Sequence, residues 1–452
     1  MARLDQFAAN VARSGLVDPS TIERARARIG PGDDKDAAVR LARVLIEQGS
    51  LTSYQAKKVL AGATKGFFLG DYRILRALGE GGMGKVYLAA DQAEGTRVAI
   101  KVLPPSKAAG GGQALARFRR EMELSRLASH PNLARTLDVG QAGNVHFMVL
   151  EYVPGESLYH LVKHPRGGPL RVPDAARFFL KVIDGLEAAH AVGLVHRDIK
   201  PSNLMVTPEG DARILDLGLA RLMDEESQMT RPNIIIGTLD YASPEQLGNA
   251  GKADRRSDLY SLGCTIYFAV SGRPPFEGGD VVNKIFKQRL DDPDPLERVA
   301  RGVPSAFAAV VRKLMAKDPS DRYQDCAELR ADLARWADPA VVHSILGAEA
   351  DAARAFRPPP PEIDDEDLLR LGEDETSAIA SALRDLGSAE APAAPMHRPP
   401  RPPRPAVVLA PQLRPLPDQG PVDESKWLVR FVALALILGV LIILAVALIQ
   451  WR

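Results

Sequence analysis

The order of hydropathy patterns along this 452-residue chain predicts an α+β protein of two lobes, a small β-rich lobe followed by a larger α-helical one, with a cleft between. A helical module precedes the lobes and a membrane-crossing helix comes after them. Three observations carry this. From Tyr72 the texture is strand-like alternation, in DYRILRALGEGGMGKVYLAA, TRVAIKVL and VHFMVLEYV, with Gly and Asn at the turns. After Gly155 the apolar residues recur at helical spacing over longer stretches. From Phe431 to Ile449 runs FVALALILGVLIILAVALI, uncharged and aliphatic, long enough to cross roughly 30 Å of hydrocarbon.

Composition narrows the function classes. The length exceeds what one core supports and leaves room for two or three domains with linkers. Lys and Arg number 58 against 57 Asp and Glu, so no net field draws the chain to nucleic acid, and no nucleic-acid partner is expected. The two cysteines, Cys264 and Cys326, are too few for a disulfide framework or a four-cysteine zinc site; they read as packing residues of a reducing cytosol.

Taken in order, residues 1–64 read as short helices. ARSGLVDPSTIERARARI carries a break at Gly15, a start signal at Asp18 and Pro19, and apolar residues at helical spacing. VLIEQGSLTSYQAKKVLAG repeats the order, with Leu51 and Thr52 placed like Leu16 and Val17, which suggests a twofold helical repeat serving docking or regulation. A helical extension with no separate role fits the same residues. Residues 72–336 carry the two lobes. Residues 337–426 hold the PPPP run at Pro358 to Pro361, the acidic EIDDED from Glu362 and a Pro/Arg/Ala stretch, a composition that cannot bury enough apolar surface to offset chain entropy and reads as a disordered tether. Residues 427–451 form the expected membrane helix, with Trp427 and Trp451 at interfacial positions. Lys426, Arg430, Arg398, Arg401, Arg404 and Arg414 load its N-terminal side, which should stay cytoplasmic. With only Gln450 to Arg452 beyond the span and no apolar stretch in Met1 to Gly30, we expect no signal peptide and no outside domain, and an anchor in the inner, cytoplasmic membrane.

The residues with chemistry cluster on the two lobes. Gly79, Gly81 and Gly84 form G-x-G-x-x-G; because KVYLAA continues as a strand rather than a helix, this reads as a hairpin lid over phosphates, not a dinucleotide fold. In VAIK, Lys101 points from a strand toward the apolar side of a sheet, where an unpartnered ammonium is costly. Glu121, ten residues before the helix-ending Pro131, is its candidate partner. HRDIKPSNLMV, His196 to Val206, places an aspartate, a lysine and an asparagine within six residues and continues from them into an apolar run. An aspartate alone is most often a solvated loop residue, and an asparagine after proline most often turn chemistry, so the neighbours must decide.

With these motifs the chain resembles eukaryotic-type (Hanks-type) protein kinases of the Ser/Thr group, as found in bacterial membrane-anchored members. The resemblance spans Tyr72 to Trp336 and runs in family order through GEGGMG, VAIK, HRDIKPSN, DLG for the usual DFG, SPE for APE, SDLYSLG and DRY. It implies the bilobal protein kinase fold, ATP as phosphoryl donor and magnesium, with manganese as an alternative ion. Phosphoryl transfer asks a protein mainly for positioning and charge neutralisation. By this likeness Asp198 orients the substrate hydroxyl, Lys200 neutralises the transferred phosphoryl, Lys101 held by Glu121 grips the ATP phosphates, and Asn203 and Asp216 ligate the metal. Gly79, Glu80, Gly81, Gly82, Met83 and Gly84 cover the phosphates. Leu78, Val86 and Ala99 sandwich the adenine above Met205, with Leu150 as gatekeeper and Glu151 to Val153 as hinge; ordinary core packing explains these apolar positions equally well.

Lys200 in KPSN and Thr238 in GTLDYASPE imply Ser/Thr acceptors on protein substrates. Arg197 implies an activation-segment phosphate, with Thr230 expected as the main autophosphorylation site and Ser227 second. Glu245 and Arg322 match a buried ion pair, and Asp258 an acid bracing the catalytic loop. Leu217, where Phe is usual, fills the same apolar role. A homodimer through the small lobe is expected by analogy alone. The competing reading, a pseudokinase scaffold, requires loss at Lys101, Asp198, Asn203 or Asp216, and all are present.

Overall fold

Asp18 and Thr52 each stand where a helix must begin, and their side chains determine the layout of the N-terminal module. The computed structural model describes residues 3–29, 34–81, 84–102, 124–143, 145–165, 167–217, 239–248 and 253–346. Its first helices are α1 (Arg3–Ser14), α2 (Pro19–Ala27), α3 (Asp34–Glu47) and α4 (Ser53–Leu60). The Asp18 carboxylate accepts from Thr21 N at 2.9 Å to cap α2. Thr52 caps α4 through a reciprocal box with Gln55. The two caps are therefore equivalent, and the repeat aligns Val17 with Leu51 and Asp18 with Thr52. The sequence reading, which paired Leu16 with Leu51, was one residue out, because it matched apolar residues rather than capping groups. Val11, Leu16, Val17, Ile22, Leu41 and Leu51 close a core of the module's own.

The small lobe comes next as one antiparallel sheet: β1 (Phe68–Leu69), β2 (Tyr72–Gly81), β3 (Gly84–Asp91), β4 (Arg97–Val102), β5 (Thr136–Ala142) and β6 (Val145–Glu151), in spatial order β1-β2-β3-β4-β6-β5. Alternation along the strands separates two faces. Ile74, Tyr87, Ala89, Val98, Ile100, Phe147 and Val149 pack into one cluster, against which Tyr54 of α4 is laid. The opposite face carries cross-strand rows, Val86 beside Lys101 beside Met148, and Leu88 beside Ala99 beside Leu150. The predicted lysine and the predicted adenine contacts thus share the second face.

After β6 the chain crosses to the large lobe through Gly155, whose φ of 118° is left-handed. A Cβ there would meet Val206 O at 2.1 Å, so only glycine lets the crossing lie against the strand beneath. The large lobe comprises β7 (Glu156–Ser157), α5 (Leu158–Lys163), α6 (Val172–Ala191), β8 (Leu204–Val206), β9 (Ala212–Ile214), α7 (Pro244–Gly248), α8 (Arg255–Ser271), α9 (Val281–Leu290), α10 (Leu296–Val299), α11 (Ser305–Leu314), α12 (Cys326–Leu333) and α13 (Pro339–Leu346). Helix α8 is buried without interruption from Ser257 to Val270, so it is the axis on which the others pack. Strands β7, β8 and β9 form a small sheet at the cleft. Both cysteines are buried and free.

Among the described residues no helix is long and apolar enough to cross a membrane. The expected tether of residues 337–426 starts too early: Pro339–Leu346 form helix α13, because PAVVHSIL is an apolar helical stretch that precedes the proline-rich composition. The rest of that tether and the span at Phe431 to Ile449 lie outside the described residues, as do Gly82, Met83, Glu121, Ser227, Thr230 and Thr238.

Candidate active site

The loop from His196 to Asn203 is shaped by its own backbone. Among the described residues, Arg197 and Asp216 are the non-glycine positions at positive φ, 65° and 59°. Such conformations cost on the order of 1–3 kcal/mol each and persist only where surrounding groups hold them. At Arg197 the holding group is Asp258 on α8: Oδ2 accepts from His196 N at 2.9 Å and Oδ1 from Arg197 N at 2.7 Å. Gln246 on α7 donates to Arg197 O at 2.8 Å. His190 at the end of α6 sets Nε2 2.8 Å from Asp258 Oδ2 and its Nδ1 3.7 Å from Cys326 Sγ. Burial raises the cost of charge on Asp258, yet His190, His196 and the Arg197 N–H more than offset it and hold the carboxyl below its ordinary range.

His196 joins the two sides of the site. Its Nδ1 accepts from Asp198 N at 3.2 Å, so Nε2 carries the proton and donates to Leu215 O at 2.7 Å, next to Asp216. On the loop, Lys200 Nζ lies 2.9 Å from Asp198 Oδ2. Asn203 Nδ2 donates to the same Oδ2 at 2.9 Å and to Asp198 O at 2.8 Å. Asn203 O accepts from Leu215 N at 2.9 Å, which brings Asn203 beside Asp216. From the small lobe Lys101 Nζ comes within 2.9 Å of Asp216 Oδ2, with 2% of the lysine side chain exposed. Burial opposes the Asp216 charge, and Lys101, helped by Lys200, outweighs it and keeps the carboxyl lowered. A phosphate-sized anion placed between Lys101 and Lys200 would face ammonium groups from both lobes.

The residues expected to contact adenine lie on the small-lobe sheet and on β8. Leu78 is exposed, Val86, Ala99 and Leu150 share one sheet face with Lys101, and Met205 stands half-buried on β8 between fully buried Leu204 and Val206. Glu151 ends β6; its Oε2 is 2.7 Å from Arg213 on β9 and 3.2 Å from Arg135 Nε. Val153 is buried just beyond it. Gly79 and Gly81 pair with Val86 and Gly84 as a hairpin, with Glu80 opposite Lys85.

The matching family model, the protein kinase domain, covers residues 72–332, more than half of the chain. The chain belongs to the protein kinase family. Among curated protein kinases it is 37% identical over 283 residues to the serine/threonine-protein kinase PknB of Mycobacterium leprae, and 39% identical over 286 residues to the serine/threonine-protein kinase pkn2 of Myxococcus xanthus. Each alignment takes in 62% of this chain but only 44% and 33% of the relative, so the chain spans less than half the length of the curated kinases it matches. Among solved kinase domains, a double mutant of Mycobacterium tuberculosis PknI aligns with a TM-score of 0.50 and 25% identity, covering 61% of this chain and all of that one.

Within this kinase domain Arg322 is fully buried and meets Glu245 bidentately, at 2.8 and 2.9 Å, while Ser257 Oγ donates to Glu245 Oε1 at 2.6 Å. Sequence reasoning passed over His190, Gln246 and Arg213. A histidine on a helix, a glutamine after SPE and an arginine in a short strand carry no local signal; each matters only through what it touches. Lys101 meets Asp216, and its expected partner Glu121 lies outside the described residues.

Proposed function

We propose that this chain is an ATP-dependent serine/threonine protein kinase that transfers the γ-phosphoryl group to protein hydroxyls at the cytoplasmic face of a membrane. The supporting observation is that the Asp198 carboxylate, gripped by Lys200 and Asn203, is joined through the Asn203–Leu215 backbone bond to a second ion pair, Lys101 with Asp216, contributed jointly by the other lobe and the loop after β9. Both described donors sit on Asp198 Oδ2, which leaves Oδ1 to orient the acceptor hydroxyl and take its proton. Lys200 then stands between that carboxylate and the transferring phosphoryl, and Lys101 binds the remaining phosphates. Asn203 and Asp216 suit magnesium, or manganese in its place: the Asn203 amide nitrogen is committed to Asp198, which turns its oxygen outward, and Asp216 stays charged. The ion, when bound, neutralises phosphate oxygens.

In this reading Thr238 lies on the segment that receives the acceptor, Thr230 and then Ser227 are the autophosphorylation sites, and Arg197 binds the resulting phosphothreonine. Residues 427–451 anchor the chain, so the full-length protein sediments with membranes while a variant ending at Glu424 stays in the supernatant; equal partition of both would remove the anchor from the proposal.

The test of activity is label transfer from ATP with magnesium by the full-length protein, read by mass spectrometry. Phosphoserine and phosphothreonine are expected, Thr230 foremost. Asp198→Asn should lower transfer by about a hundredfold or more while still binding nucleotide, as for loss of a proton-accepting group. Nucleotide binding without transfer above the Asp198→Asn background would overturn the proposal.

A further inference from the structure

The helical module abuts the ATP hairpin's own strand, and its contact falls on an irregularity in that strand. Between β2 and β3 the register shifts at two places, between Ile74 and Arg76 and between Ala77 and Gly79. The residues skipped are Leu75 and Leu78. A bulge leaves backbone groups outside the ladder and re-aims the side chains beyond it. At the first bulge those groups are taken by α4. Thr52 Oγ1 donates to Leu75 O at 2.6 Å, and Gln55 Nε2 donates to Ile74 O at 2.7 Å. Gln55 is wholly buried. Its Oε1 accepts from Thr52 N at 2.9 Å and from Arg73 Nη2 at 3.2 Å, and the same Arg73 nitrogen donates to Ser50 O at 2.7 Å. The two side chains that start α4 are thus also the donors that hold the bulge. Tyr54 packs on the outer sheet cluster, with Lys58 Nζ 5.0 Å above its ring.

We propose that Thr52 and Gln55 are positioning residues for nucleotide binding, acting through the Leu75 bulge on the register of Leu78 and the glycine hairpin. The inference rests on the kinase reading of the cleft. Strand register is discrete, and a slip of one residue turns every side chain to the opposite face. Leu78 lies three residues past Leu75 and Gly79 opens the hairpin directly after, so whatever holds the first bulge holds the start of the second. Removing the donors leaves the Ile74 and Leu75 carbonyls without those partners against a buried helix end and favours a ladder in which the bulge moves or closes. The module is then part of the ATP site's scaffold, although it lies wholly outside the residues that match the kinase family.

Gln55→Glu separates positioning from simple folding. Glutamate keeps the acceptor that serves Thr52 N and Arg73, and so keeps the capping box, but it cannot donate to Ile74 O. With the full-length protein, Mg·ATP affinity is measured by calorimetry and KM and kcat for ATP by label transfer, alongside thermal melting. Gln55→Glu is expected to raise Kd and KM about three- to tenfold, as for one lost hydrogen bond, with kcat within about twofold. Thr52→Ser, which retains the hydroxyl, should match the wild type. If Gln55→Glu does not fold, Thr52→Val, which keeps all three Gln55 side-chain bonds and loses the bond to Leu75 O together with the α4 cap, supplies the same measurement. A folded donor-lacking variant with wild-type KM and Kd overturns the inference alone. A wild type that binds no Mg·ATP overturns the kinase reading and the inference with it.

Discussion

Arg322 has no exposed side-chain surface, and its guanidinium is satisfied by Glu245 and by the carbonyls of Ala316, Arg256 and Lys317. Tyr260 lies beneath it, 4.8 Å from ring centre to guanidinium carbon. Removing the carboxylate would strand a buried cation, which costs about 3–5 kcal/mol; with the carbonyls retained, Glu245→Ala should fall near the lower bound in urea unfolding. Burial alone would raise the Glu245 carboxyl, but Arg322 and Ser257 outweigh it and lower it from its ordinary 4.5. A depressed carboxyl contributes stability that is fully present above its unfolded value and is lost as pH falls through the folded one. The stability gap between wild type and Glu245→Gln should therefore be constant near neutrality and shrink below about pH 4.5. A gap that widens on acidification would contradict the pairing.

At the scale of elements, the interlobe crossing depends on a residue without a side chain. Gly155 combines a φ of 118° with Val206 O 2.1 Å from where its Cβ would stand, and Val206 cannot yield alone because β8 is paired on both sides. Gly155→Ala should cost about 2–4 kcal/mol, strain and overpacking together. Gly168, at φ 142° with open space around it, isolates the strain contribution and should lose clearly less in the same melting experiment. Equal losses would show that contact with β8 carries no energy. Helix α8 makes the converse case: its burial on every side removes the amphipathic stripe by which a sequence announces which face turns inward.

Over the whole molecule, two backbone connections tie the lobes among the described residues, beside the Lys101–Asp216 pair. One is the crossing itself, braced by Glu151 against Arg213. The other is the stretch leading into β5: Asn132 Nδ2 donates to Ala212 O at 2.7 Å, Ile214 N to Asn132 O at 2.8 Å, and Ala134 N to Ile214 O at 2.9 Å, so the small lobe borrows an edge of β9. Asn132→Ala removes one side-chain bond of this second tie, for about 1 kcal/mol. With the nucleotide between the lobes, as proposed, the loss should appear both in melting and as a two- to fivefold weaker Mg·ATP affinity. Weaker melting with unchanged affinity would make the tie purely structural.

The order of motifs from GEGGMG to DRY, the switch from period-two strands to helical spacing, and the pairing of chemistry within HRDIKPSN were all legible in the residues, because each is a local property of a few neighbours. The capping groups Asp18 and Thr52 were equally local, though apolar matching misaligned them. Tertiary structure alone decided what lies far apart in sequence. It set Lys101 against Asp216, and it braced the strained Arg197 by Asp258 and His190. It also seated Gln55 on the Ile74 carbonyl. The reason is physical: propensity and periodicity act over a few residues, whereas a buried hydrogen bond or ion pair is selected only when packing has excluded water and left one partner within reach.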